Sequence, residues 1–197
     1  MNRRLPLILV AGVLALCVIG VIVVGATAGS GFGAVAYTVG DTKVSQREVN
    51  DDLKALADNN KFAITAIAPE FRTTDGAVNS SGAADWLTVV IYRQVGTDAL
   101  AKQGEKITDS DRKTALANVS SQAGPSFETE LRKLPASLQR RLGDVLALQS
   151  RVKTSAFKGV HITVDPKYGF WNAKRYAVCP PTGCPKASAA ASGSAGG

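Results

Sequence analysis

Few residues in this chain have the type and spacing for covalent chemistry. The single histidine, His161, sits between Val160 and Ile162 in an alternating stretch. It should therefore point away from the buried face, and a Ser/His/Asp hydrolase would have no other base to use. Carboxylates occur in pairs: Asp51 with Asp52, Asp109 with Asp111, and Glu128 with Glu130. The last two pairs fall in first helical turns, where acids suit the helix dipole. Asp51 and Asp52 are adjacent and so diverge on a helix, whereas a glycosidase needs two carboxylates converging across a cleft. Cys179 and Cys184 bracket Pro-Pro-Thr-Gly. That spacing differs from a two-residue redox motif, and two further zinc ligands are missing from the neighbourhood. In an oxidising compartment the pair closes a small structural disulfide loop. No catalytic residue, metal site or cofactor is expected, and the chain is not read as an enzyme.

The N-terminus decides where this chemistry would operate. Arg3 and Arg4 precede Leu5 to Val24, a stretch without a charged residue. Roughly 20 apolar residues as a helix cross a bilayer, and arginines ahead of such a run stay in the cytoplasm. Residues 1–28 are thus expected to be a signal anchor that faces the rest of the chain outward. Cleavage after Ala28, at Ala26-Thr27-Ala28, is the alternative and would secrete it. Acylation at Cys17 fits poorly, because Leu16 precedes it and apolar sequence follows. All 16 acidic residues lie beyond the run. Removing Arg3 and Arg4 leaves 21 Lys and Arg against those 16, a charge of +5. These cations are spread singly, so no nucleic-acid partner is expected.

Residues 29–34 read as a flexible linker. Val35 to Val39 alternates as a strand, Gly40-Asp41 turns, and Ser45-Gln-Arg-Glu48 is a capping box that opens a helix to about Ala57. Asn59 to Gly82 is irregular. An apolar helix from about Ala83 to Gln103 should be the buried centre. A Thr108-capped helix to about Gln122, a short helix from Ser126, and a longer one from Pro135 to about Ser155 follow. Val160 to Val164 alternates again. Asp165 to Asn172 is an aromatic turn, and residues 179–197 form the cysteine loop and an Ala/Ser/Gly tail that should be disordered.

Taken in order, AYTVGDTKVSQREVNDDLKAL (36–56), DALAKQGEKITDSDRK (98–113), GPSFETELRKLPASLQRRLGDVLALQSRV (124–152) and ITVDPKYGFWN (162–172) resemble the N-terminal chaperone domain of the SurA, PrsA and trigger-factor-like exported foldases. The likeness is strongest to short actinobacterial membrane-linked versions and covers residues 35–178. It implies a mainly α domain with a small two-stranded β element joining the chain ends. Parallel pairing of 35–39 with 160–164 is available, since a long helical crossover separates them. Only Ala156 to Gly159 separates the last helix from the closing strand, so the prolyl isomerase domain of many relatives is absent. The resemblance implies ATP-independent, chaperone-like binding of unfolded or newly exported polypeptides at the outer membrane face, with no small-molecule substrate. Phe62 and Phe71 in the irregular region, with Phe170 and Trp171 in the aromatic turn, are the candidate client contacts; Trp171 also suits packing of the closing segment. The alternative is a membrane-tethered adaptor that binds one specific envelope partner.

Overall fold

The computed structural model describes residues 34–184. The expected anchor, Cys17, most of the linker and the low-complexity tail lie outside the described residues. The elements are β1 (Val35–Val39), β2 (Thr42–Ser45), α1 (Gln46–Asp58), α2 (Asn60–Ala66), α3 (Ser80–Ala101), α4 (Asp109–Ala123), α5 (Pro125–Leu131), α6 (Ala136–Leu148), a 3-10 turn (Thr154–Phe157), β3 (Ile162–Val164), β4 (Phe170–Asn172) and β5 (Ala177–Cys179). The mainly α character follows the sequence reading. Among the described residues, no helix is long and apolar enough to cross a membrane.

Gly40, at φ +55°, opens the two-residue turn that returns β2 onto β1. That adds a third strand to the expected two-stranded element. β1 lies in the middle, and Tyr37, Thr38 and Val39 pair with Val164, Thr163 and Ile162 of β3. This pairing is antiparallel, which corrects the parallel expectation. The 3-10 turn and Gly159, at φ +78°, deliver the chain to the Gly40 end of the hairpin. There Gly40 N–H donates to the His161 carbonyl at 2.9 Å, and β3 leaves past Ala36, whose carbonyl accepts from Asp165 N–H at 2.7 Å.

α3 is the core helix: Trp86, Leu87, Val90, Ile91 and Val95 are all buried. It begins three residues earlier than expected because the Asn79 side chain caps it, accepting from Ser81 N–H at 3.0 Å. Within the stretch read as irregular, α2 forms and carries Phe62 inward. The last long helix stops at Leu148 instead of continuing to Ser155.

The closing segment is tied down by polar groups. Gln46 Nε2 donates to Asp165 Oδ2 at 2.8 Å, Lys167 Nζ donates to Gln46 Oε1, and Tyr168 Oη bonds Asn50 Oδ1 at 2.7 Å. Gly169, at φ +131°, lies so close to the Cys179 carbonyl that a β-carbon would overlap it. Val178 N–H donates to Thr88 Oγ1 at 2.8 Å and fastens β5 to α3. Cys179 and Cys184 are disulfide-bonded.

Candidate functional site

The four aromatics proposed as client contacts do not form one surface. Phe62 is 2% exposed and packs tilted against Phe127, with ring centroids 5.5 Å apart, joining α2 to α5. Phe71 is 0% exposed, with its backbone pressed against Gly82 at the start of α3. Both are core residues, which corrects their assignment as contact residues. A small single core needs its rings, and these two lie on the sides of their segments that meet α3 and α5. Trp171 is half-buried and stacks on Phe157 with centroids 5.9 Å apart and planes 16° apart. Phe170, on the opposite face of β4, is 45% exposed. His161 is exposed. Among the described residues, no group of three or more His, Cys, Asp and Glu side chains is placed to hold a metal ion.

The structure assembles a different site, an open cleft of about 390 Å³ between α1 and the N-terminal half of α6. Ser45, Arg47, Glu48, Asp51, Asp52 and Ala55 line one wall; Pro135, Ser137 and Arg141 line the other. Ser45 caps α1 by accepting from Glu48 N–H at 3.2 Å. Glu48 does not complete the expected capping box through its side chain. Its carboxylate instead accepts from Arg141 Nη1 at 2.7 Å across the cleft. Arg141 Nη2 reaches Asp52, so one guanidinium holds two carboxylates of α1. The full capping box belongs to α4, where Thr108 and Asp111 bond reciprocally.

Asp52 is 6% exposed. Burial pushes its carboxyl up to about 6; Arg141 opposes that shift and Glu48 adds to it. The Trp86 indole N–H approaches Asp52 from the core side and favours the charged carboxylate, yet it does not complete a hydrogen bond. Tyr37, buried beneath, is raised well above the usual phenol range, chiefly by burial and next by the Glu48 charge. The cleft therefore couples a buried acid and a shared arginine, with the hydroxyls of Ser45 and Ser137 in its lining.

Sequence reasoning set aside Asp51-Asp52 as diverging, which is correct: Asp51 is exposed and Asp52 is not. The missed signal was helical phase. Asp52 follows Val49 by three and precedes Leu56 by four, so it lies on the apolar stripe. Arg141 follows Leu138 by three on α6 in the same way. A second buried acid, Asp144, was also missed. It accepts from Arg93 of α3 at 2.7 Å and from Arg112 of α4 at 2.6 Å. It lies away from the cleft walls and joins three helices.

No family model matches the chain, and neither do the curated proteins or the solved structures. The likeness to the exported foldases is carried by the residues of this sequence alone.

Proposed function

We propose that the chain is a membrane-tethered, extracytoplasmic polypeptide-binding domain that docks a dedicated partner through the cleft between α1 and α6. The observation that carries this reading is the cleft itself, where Glu48, Asp52 and Arg141 are held in fixed register by their shared ion pairs. Charged groups fixed in this way reward a matching partner and penalise others, which gives specificity more than general stickiness. A general holdase needs a broad apolar surface. Here Phe62 and Phe71 are inside, and the large exposed apolar side chains among the described residues are Val35, Ile64, Phe170 and Tyr176.

The chaperone reading that the resemblance implies stands second. It is favoured by the exposure of Phe170 and by a helical domain joined through its end strands, as in the foldases. Both readings keep the N-terminal tether, exported orientation and absence of isomerase chemistry as proposals.

The test uses the full chain in lipid nanodiscs. Aggregation of several unrelated unfolded proteins is followed with and without it, and a photo-cross-linker at Ser137 is used in native membranes. A single saturable adduct without general protection supports the adaptor. Broad protection, with no discrete adduct at Ser137, overturns it and puts the chaperone reading first.

A further inference from the structure

The charge of the described domain is segregated along the chain. Residues 34–150 carry 14 Lys and Arg against 15 Asp and Glu, a charge of −1. Residues 151–176 carry Arg151, Lys153, Lys158, Lys167, Lys174 and Arg175 against Asp165 alone, a charge of +5. The basic excess of the whole described domain therefore comes from one short stretch. Arg151 is paired with Glu105 and Asp111, and Lys167 with Gln46. Lys153, Lys158 and Lys174 are exposed; Arg175 is exposed too and makes an interaction of its own.

These cations lie next to aromatic residues in the chain, and the fold brings the rings together. Phe157, between Lys153 and Lys158 in sequence, contacts Trp171 at 5.9 Å and Tyr176 at 5.3 Å. Lys174 and Arg175 sit in the turn between β4 and β5, immediately before Tyr176. Tyr176 is 40% exposed, and Phe170 is exposed on the outer face of the same hairpin. The hairpin is braced by the disulfide, by Gly169 and by the Val178–Thr88 hydrogen bond. Exposed aromatic rings with lysine and arginine as close neighbours in the chain have the chemistry of the membrane–water interface: amphipathic rings suit the headgroup level, and basic side chains are drawn to anionic lipid.

We propose that the β4–β5 hairpin and the adjoining 3-10 turn dock on an anionic phospholipid surface. This rests on the tethered reading given above. From Val24 to Ala34 the chain spans at most about 35 Å, which keeps the hairpin within reach of the bilayer that would hold the anchor. Docking by this end of the fold, where Phe170 is exposed on one side of the hairpin and Tyr176 at its turn, would fix the domain's orientation, while the α1–α6 cleft lies on other elements.

The test is made on the full chain reconstituted into vesicles of phosphatidylcholine, alone or mixed with phosphatidylglycerol. Phe170→Trp adds an emission beyond that of Trp86 and Trp171, and brominated acyl chains quench it on insertion. The added emission is expected to be quenched in the anionic vesicles only, and the quenching should weaken at high salt. The triple variant Lys153→Gln, Lys158→Gln, Lys174→Gln should weaken docking roughly 100-fold and abolish the difference, with an unchanged far-ultraviolet dichroism spectrum. Equal quenching in both lipids, or none, overturns the proposal. So does an added emission that ignores lipid and responds to unfolded polypeptide, which would make the hairpin a client surface. If the chain leaves the vesicles in an alkaline wash, the tether reading fails by itself. Co-flotation of that untethered chain with anionic but not neutral vesicles would then still support the docking face, and no flotation would overturn it.

Discussion

Replacing Asp52 by Asn decides whether burial or the Arg141 ion pair governs the cleft. Asn keeps the size of the side chain and an oxygen that accepts from Arg141, but it cannot ionise. In the wild-type chain the carboxyl is raised from 3.8 to about 6. A group whose folded value lies above its unfolded value binds more protons when folded, so stability falls as pH rises between the two values. At 1.36 kcal/mol per unit, the loss from Asp52 is about 3 kcal/mol, complete above pH ~6.5 and absent below pH ~3.5. Urea unfolding at steps across this range, followed by tryptophan emission, measures it as the stability of wild type minus that of Asp52→Asn. Carboxylates away from the cleft titrate in both chains and cancel. Asp111, for example, is lowered by the Thr108 N–H and hydroxyl. The difference is expected to fall by about 3 kcal/mol from low to high pH. A flat difference would show that Arg141 offsets burial in full, and a rising one would show that the ion pair dominates. Either result refutes the reasoning.

Four further outcomes test the packing that positions the cleft and the hairpin. Asp144→Ala leaves Arg93 and Arg112 without their shared carboxylate, and should cost about 3–5 kcal/mol in denaturant unfolding. Gly169→Ala combines a positive φ with overlap on the Cys179 carbonyl; it should cost about 3 kcal/mol or more and disrupt the hairpin, read as loss of Trp171 chemical-shift dispersion. Thr88→Val leaves the buried Val178 N–H without its acceptor, for about 1–3 kcal/mol by the same unfolding assay. Reduction opens a loop of five bonds in sequence and should lower stability by only about 2 kcal/mol on loop-entropy grounds, leaving the helical core folded by circular dichroism.

Elements governed by local rules were legible in the sequence. The alternation of Val35, Tyr37 and Val39, the Ser45 and Thr108 caps, and the apolar run about Trp86 each specify their own segment, and the helices form close to where those signals fall. Strand direction was not legible, because it depends on where the chain emerges after Leu148, and that is set by the packing of α6 on α3 and α4. The α2 helix was obscured by neighbouring Pro69 and Gly76, and it is held by burial of Phe62 and Ala63 more than by any cap. The cleft was hidden for a related reason. Arg141 is 93 residues from Glu48 and 89 from Asp52, and their meeting is a property of tertiary packing. Only the odd placement of charged residues on apolar stripes announces it.

The distribution of aromatic rings bears on function as much as the cleft does. Phe62, Phe71, Trp86 and Phe157 are all buried, and each fills a junction between elements: α2 with α5, the loop with α3, the sheet with α3, or the 3-10 turn with the hairpin. A domain of this size with so few rings has little to spare for an apolar groove without opening a cavity, which would cost about 3–5 kcal/mol per missing phenyl group. The exposed rings, Phe170 and Tyr176, therefore occur where the helical core has already been closed, on a hairpin stapled by its own disulfide. Placed there, they add nothing to the core and sit beside the chain's main concentration of positive charge. That is the arrangement expected of a surface selected for contact, and under the two proposals charge-matched recognition would fall between α1 and α6 and orientation at the β4–β5 end.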